Sequence, residues 1–491
     1  MKFTKIIQRF LPLGALVFTL LAAPLAHASG YSVTNLTTGT GLSGLNWKAI
    51  ASSGSGKYVT AAGDGEDIWT SNDYGATWSN VTDGTAASRL DFTQVTASYS
   101  GQYQAALTLN ADIWVSSDYG AHWTNRTAGT AASGINWQFV ISNYTGKYMV
   151  ATAYTDGMFI SSDYGVTWKK ASAGTPLAGQ PMGSATVSAD GKYLTVLQSG
   201  LDVWGSEDYG ASWHVLTAGL PVDHKTFYSS AATVDGKTIY ADAEHDDLFV
   251  SHDYGATWSN LTNRTGISGL DINDIDTGID ISYMQDSPDG QFVIAKGNTG
   301  GHIYASRDYG ATWTDLTNSP PLNSVFWNSA AITGSGEHIY GLGGAADLYR
   351  FSDSSLHPSA PVINRKNITT NVSADGSVTV NVFDGVSGFD PYSLSVVSGP
   401  SHGTAVDPPG DLTYTPSKGY FGPDSLVYQI CSWDDTVCSQ ATLSFNVLKA
   451  PNTGSGTPQH NTLIEALAAI SAITIVSGLL LARRTQNANS P

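Results

Sequence analysis

The sequence predicts an all-β protein: a seven-bladed β-propeller with a small second β-domain behind it. Three observations predict this. The stretch Ser71-Asn72-Asp73-Tyr74-Gly75-Ala76-Thr77-Trp78 sets a pattern, S-x-D-Y-G-x-x-W, that returns with its aspartate at Asp118, Asp163, Asp208, Asp253 and Asp308. Its first four steps are 45 residues and the last is 55, which marks one supersecondary unit copied many times, with an insertion in one copy. Each unit also reads as four short aromatic and β-branched runs between turn formers, in the third copy 136–142, 147–153, 158–162 and 167–171. Finally, 52 Gly and 13 Trp with only 13% charged residues suit an all-β repeat rather than a helical protein. A lone four-stranded sheet cannot bury both faces until neighbours pack around an axis, so the units read as propeller blades.

Taken in order, the chain begins with Lys2, Lys5 and Arg9, an apolar run at 11–23 and Ala26-His27-Ala28. Residues 1–28 therefore read as a secretory signal peptide cleaved after Ala28, and the mature protein as exported. The propeller is expected over 29–355. A decayed seventh copy is found by aligning Leu348-Tyr349-Arg350-Phe351-Ser352-Asp353 on Ile68-Trp69-Thr70-Ser71-Asn72-Asp73. No fourth strand follows it. Ser32-Val33-Thr34-Asn35-Leu36-Thr37 resembles the fourth strands of other copies and is expected to complete this blade and close the ring.

After a linker at 356–360 the pattern changes. Runs at 377–382, 394–398, 412–415, 425–431 and 441–447 alternate as strands of a small sandwich over 361–448. The only two cysteines, Cys431 and Cys438, fall here, and in an exported protein a disulfide between them is expected. A linker at 449–461 leads to a short apolar transmembrane anchor at 462–484, which ends in Arg483-Arg484, and a cytoplasmic tail at 485–491.

The repeated octapeptide resembles the Asp-box, or BNR repeat, of sialidases, xyloglucan-degrading glycosidases and sortilin-type receptors, over roughly residues 31–355. The resemblance implies a hairpin between the third and fourth strands of each blade. Asp73, Asp118, Asp163, Asp208, Asp253 and Asp308 are then turn-forming acceptors rather than catalytic acids. Further on, Thr413-Tyr414-Thr415-Pro416, Gly419-Tyr420-Phe421-Gly422-Pro423-Asp424-Ser425 and Val427-Tyr428 resemble bacterial Ig-like or cadherin-like modules. Some such modules bind calcium through acidic loops. Asp384, Asp390 and Asp424 are the matching acids here, without the closely spaced D-x-D run. Pro451-Asn452-Thr453-Gly454, ahead of an apolar segment and a basic pair, resembles a sortase-type sorting signal with Ala450 in place of its leucine. That resemblance implies a sortase-like partner, while a plain membrane anchor is the other reading.

Function is bounded first by charge. Lys plus Arg is 23 against 41 Asp plus Glu, a formal charge of −18, which opposes nucleic acid and anionic membrane surfaces as partners. Cations, basic proteins and neutral glycans remain, and calcium is the one cofactor considered.

The strand order puts the Asp-box hairpins and the turns between strands one and two on one face. The loops between strands two and three and between blades form the other, the expected place for a site. There Asp67, Asp112, Asp202, Asp247 and Asp347 recur at the start of strand three, replaced by Gly157 and His302 in two blades. Either they rim a binding mouth or each bonds its own turn. Glu244 and His245 add to the fifth blade, and the insertion carries Asp271, Asp274, Asp276 and Asp280, as cation ligands or as a solvated acidic loop. A second ring, Trp47, Phe92, Trp137, Met182, Phe227 and Trp327, offers sugar-stacking platforms or inter-blade packing.

No Ser-His-Asp signature, P-loop or H-E-x-x-H motif occurs. The propeller holds few arginines for a sialidase-type carboxylate clamp, and the R-I-P signature of that family is missing. The expectation is a monomeric, cell-surface-anchored binding protein whose ligand is a glycan or another surface protein. The alternative is an exported glycoside hydrolase acting through mouth carboxylates.

Overall fold

β-Branched runs separated by Gly- and Asn-rich turns fold locally into antiparallel meanders. In the first repeat these are Trp47–Ser52, Val59–Gly63, Trp69–Ser71 and Ser79–Asn80, hydrogen-bonded in chain order. The second repeats the pattern with Phe92–Ala97, Gln104–Thr108, Ile113–Ser116 and Thr124–Asn125. The third, fourth and fifth start at Trp137–Ser142, Met182–Val187 and Phe227–Ala232 and have the same four-stranded order. The computed structural model describes residues 25–26, 30–38, 40–198, 201–218, 227–243, 247–261, 290–296, 302–343, 347–356, 362–363, 368–382, 386–387, 389, 393–406, 411–432 and 437–449. Three strands of the sixth sheet fall within these: Val293–Lys296, Ile303–Ser306 and Thr314–Asp315.

The seventh sheet, Trp327–Ile332, His338–Gly343 and Asp347–Ser352, takes its next strand from the other end of the chain. Ser32–Asn35 pairs antiparallel with Asp347–Ser352, Val33 facing Phe351, as the missing fourth strand predicts. Leu25–Ala26 pairs on its outer side.

Packing between successive sheets supplies the core. Ile68, Phe92, Val95 and Ala106 form one cluster between the first and second sheets, and Val115, Trp137, Met149 and Phe159 another between the second and third. Trp47, Ile50 and Val59 pack against Tyr340, Leu342 and Leu348, which joins the seventh sheet to the first. Each large side chain so buried contributes about 1.5–3 kcal/mol. Polar contacts repeat the joints: Asn328 Nδ2 donates to the Trp47 carbonyl at 2.9 Å and Tyr340 Oη to the Gly56 carbonyl at 2.9 Å. Four-stranded sheets stacked side by side through their flat faces are the arrangement of propeller blades.

The C-terminal unit is a sandwich. One sheet has Ile368–Ser373 beside Cys438–Leu448 in parallel, then Gly422–Cys431 and Ser395–Ser398; the other holds Val378–Asn381, Asp411–Pro416 and Gly403–Val406. Tyr414 and Phe445 stack at 3.8 Å in its core, and a disulfide joins Cys431 to Cys438 across the long hairpin. Among the described residues no helix is long and apolar enough to cross a membrane. The residues expected to form a signal peptide, other than Leu25 and Ala26, the motif Pro451, Asn452, Thr453 and Gly454, and the expected anchor at 462–484 and tail at 485–491 lie outside the described residues.

Candidate functional site

The carboxylates of Asp67, Asp112, Asp202 and Asp347, at the start of their third strands, sit opposite the end of the fourth strand of the same sheet, and residues of that strand or just after it supply most of their partners. Asp67 Oδ2 accepts from Asn80 Nδ2 at 2.8 Å, while Oδ1 accepts from Thr82 Oγ1 and the Arg89 N–H. Asp112 repeats this with Asn125 and Thr127, Asp202 bonds Thr217, and Asp347 bonds Thr37 and Ser43. Burial of Asp67 works to raise its pKa, but the bonds from Asn80, Ser88, Arg89 and Thr82 outweigh it and hold the carboxyl below its ordinary value. Such a group suits an acceptor locked in a turn, not a proton donor. In the sixth sheet His302 takes the aspartate's place, its Nδ1 2.5 Å from Asp315 Oδ2. The side chain of Asp247, with Glu244 and His245, lies outside the described residues, as do Asp271, Asp274, Asp276 and Asp280.

The expectation of aromatic platforms is corrected. Trp47, Trp137 and Trp327 are at most 2% exposed, and Phe92, Met182 and Phe227 are equally buried. Their register explains it. A bulge follows the leading residue of the first strand in several sheets, as between Trp47 and Ala49 and between Trp137 and Phe139. Bulges re-aim side chains, and these rings end up buried. Trp137 lies edge-on to Phe159 and Trp327 to Tyr349 within their own sheets, each at 5.3 Å, and they pack against Leu107 and Val115, and against Ile303 and Ala305, of the preceding sheets. A ring sealed there has no face left for a sugar.

The opposite face carries what the motif spacing left unread. In each repeated octapeptide the carboxylate closes a hairpin: Asp163 accepts from Ser161 Oγ, the Thr167 N–H and Thr167 Oγ1, the last at 2.6 Å. Trp168 Nε1 donates to the Gly165 carbonyl beneath. The tyrosine between them is held left-handed, with φ of 61°, 63°, 64°, 61°, 59° and 59° at Tyr74, Tyr119, Tyr164, Tyr209, Tyr254 and Tyr309. That conformation is unfavourable for a bulky residue. It projects the ring outward: Tyr119, Tyr164, Tyr209 and Tyr309 are 37–53% exposed.

Four of these rings lean on a tyrosine that opens the second strand of the preceding sheet. The pairs are Tyr58–Tyr119 at 4.5 Å, Tyr103–Tyr164 at 4.3 Å, Tyr148–Tyr209 at 5.9 Å and Tyr193–Tyr254 at 4.4 Å. Lys57, Lys147 and Lys192 hold their ammonium groups 5.3, 5.4 and 4.6 Å from the rings of Tyr58, Tyr148 and Tyr193. A sequence signal for these stacks exists: Tyr58, Tyr103, Tyr148 and Tyr193 recur every 45 residues, in step with the octapeptides.

At the centre of the same face the turns between first and second strands are strapped together. Gly334 donates to the Gly54 carbonyl, Gly54 to that of Tyr99 and Tyr99 to that of Tyr144, at 2.8, 2.7 and 2.9 Å. Tyr99 stacks on Tyr144 at 4.3 Å. A cavity of about 90 Å³ lies against this strap, lined by Ser52, Thr96, Phe139, Ser142 and Thr186 among others.

Among the described residues no three His, Cys, Asp or Glu side chains are grouped to hold a metal. Of the possible calcium ligands, Asp384 and Asp390 lie outside the described residues, and Asp424 accepts from Ser401, His402 and Ser425 N–H and from Tyr414 Oη.

Residues 358–446 match the family model described as Bacterial Ig domain. No curated protein matches the chain in sequence. Solved structures similar to it include YCF48 bound to D1 peptide, at 13% identity and TM-score 0.47, covering 67% of this chain and 99% of that one. YCF48 from Cyanidioschyzon merolae follows at 14% and 0.47, covering 65% and 98%. The GH74 enzyme of Niastella koreensis has 13% and 0.48, covering 83% and 67%. The structure is an all-β protein of propeller-like sheets followed by a bacterial Ig domain.

Proposed function

We propose that the chain is an exported, monomeric, seven-bladed β-propeller displayed on its Ig-like module at the cell surface, where it binds a glycan or another surface protein. The signal-like N-terminus and the apolar C-terminal segment behind Pro451-Asn452-Thr453-Gly454 support export and anchoring, either by a sortase-like enzyme or by the membrane segment itself. The observation that carries binding over catalysis is the state of the rim carboxylates. Asp67, Asp112, Asp202 and Asp347 are each engaged by side chains of their own sheet. A glycoside hydrolase needs two carboxyl groups about 5–10 Å apart and free to face one sugar.

The test compares retention with turnover. The full chain is offered a panel of polysaccharides and bacterial surface extracts, and both bound protein and released reducing sugar are measured. Retention without release is the expected outcome. Release of reducing sugar would turn the reading to the hydrolase.

A further inference from the structure

The four tyrosine stacks have no role in the ring's closure, the rim carboxylates or the buried tryptophans. We infer that the Asp-box face is a binding surface for a neutral polysaccharide, with Tyr119, Tyr164 and Tyr209 as successive sugar-stacking residues. This rests on the reading of the chain as a binding protein and moves the site to the face opposite the acidic rim.

Three observations point to this ligand. First, the rings are set before a ligand arrives. Each of these three tyrosines is pinned by a left-handed backbone and by a neighbouring tyrosine from the preceding sheet, yet 37–53% of it stays exposed. A fixed aromatic plane with a polar hydroxyl is the side chain that packs against the C–H face of a pyranose. Second, the polar groups beside the rings are of both kinds. Lys57 and Lys147 bring cationic donors, while Asp118, Asp163 and Asp208 bring acceptors already tied into their hairpins. A strongly anionic or cationic chain would meet like charges all along this face, and a neutral chain rich in hydroxyls meets partners for both its donors and its acceptors.

Third, the unit is periodic. The same stack recurs in successive sheets, so a ligand made of one repeating residue gains the same contact several times, each after the first being intramolecular. Of the large exposed apolar side chains described in the propeller sheets, the hairpin tyrosines aside, Leu109, Tyr154, Leu201 and Phe326 lie on the opposite face, in loops between second and third strands or ahead of a first strand, and Val166 on this one.

The experiment is affinity electrophoresis of the full chain in native gels containing β-glucan, xylan, mannan or starch, with hyaluronate as the anionic comparison. Retardation by at least one neutral polymer is expected, at least tenfold weaker for the triple variant Tyr119→Asn, Tyr164→Asn, Tyr209→Asn. Asparagine tolerates the left-handed backbone, which preserves the hairpins. The Tyr→Phe triple should retain binding, and Leu109→Ser with Leu201→Ser should leave it unchanged. As a measurement on the unaltered chain, nitration of the three tyrosines, mapped by mass spectrometry, should slow several-fold when the retarding polymer is present. If the wild type is retarded but the Asn triple is retarded equally and nitration is unaffected, the face is wrong and the binding reading stands. If no polysaccharide retards the wild type, or if only hyaluronate or a protein is bound, the proposal falls, and a blank against polysaccharide and protein alike takes the binding reading with it.

Discussion

In the sixth sheet His302 Nδ1 stands 2.5 Å from Asp315 Oδ2, at the two positions where the first sheet pairs Asp67 with Asn80 and the second Asp112 with Asn125. The acid has crossed from the third strand to the fourth, and the donor has crossed the other way. Both arrangements supply one charged acceptor and one donor to the same half-buried spot. Asp315→Asn alone should therefore cost about 1–2 kcal/mol, the net worth of a hydrogen bond to a charged group in a site only partly open to water. His302→Asp combined with Asp315→Asn rebuilds the first sheet's pair and should recover most of the loss. Urea unfolding of the four members of this cycle measures it, and a double variant no better than the worse single would show that the two positions are not exchangeable.

That exchange also shows what the sequence makes legible. The octapeptide's period located the sheets and the strand that completes the seventh, because a 45-residue step kept over five copies leaves little freedom to the strands between. The rim was harder. Recurrence of Asp67, Asp112, Asp202 and Asp347 shows that the position matters but not whether the carboxylate faces solvent or its own sheet. The partner 13 residues on, Asn80 or Asn125, was the signal that decides. Trp47 and Trp137 stayed open between sugar platform and packing for the same reason, since a period is blind to inside and outside and a bulge after the tryptophan is not written in composition; their burial decides for packing. The recurrence of Tyr58 every 45 residues was legible, but its pairing with Tyr119 was not, because the two rings come from different repeats and meet only once the sheets are placed side by side.

Acid should weaken the fold, but only once pH falls below about 4. Asp208 and Asp253 have pKa values held below the ordinary range first by hydrogen bonds from Ser212 and Thr257 respectively; at Asp73, Asp163 and Asp308 burial works to raise the pKa, but similar bonds win. A carboxyl whose folded pKa is depressed binds its proton less readily in the folded chain than in the unfolded one. Its contribution is fully present above the unfolded value of about 3.9 and is lost as pH falls through the lower folded value. With the same turn repeated, the losses coincide. Calorimetric Tm should be nearly level from pH 7 to about 5 and fall steeply below about 4. A Tm unchanged at pH 3 would mean the hairpins do not depend on ionised aspartates.

Tyr309 separates strain from stacking. Its φ of 59° costs about 1 kcal/mol for a bulky residue. Thr238 stands in the fifth sheet where Tyr193 stands in the fourth, and the contact of Tyr309 with Tyr240 is through its backbone carbonyl. Tyr309→Asn should therefore be neutral or stabilising by up to about 1 kcal/mol. Tyr254→Asn gains the same relief but gives up the stack on Tyr193, worth about 0.5–1.5 kcal/mol, so it should come out near zero or slightly destabilising. Thermal melts of the two variants rank them, and the reverse order would show that the tyrosine stacks add nothing to stability.

The axial strap should be intolerant of a single methyl group. A Cβ added at Gly54 would overlap the Tyr99 ring, and one at Gly334 would meet its hydroxyl. Tyr99 has little room to yield, being stacked on Tyr144 at 4.3 Å and bonded through its backbone to both Gly54 and Tyr144. Gly54→Ala should cost about 1–3 kcal/mol through overpacking, whereas Gly41→Ala, where an added Cβ meets nothing within 4 Å, should stay much closer to the wild type. Removing the obstacle is the sharper check. Combined with Tyr99→Ser, the Gly54→Ala change should cost little beyond the loss of the Tyr99–Tyr144 stack itself, because the added methyl then occupies space the ring has left. Additive costs in that cycle would place the sensitivity of Gly54 in its backbone rather than in the ring above it.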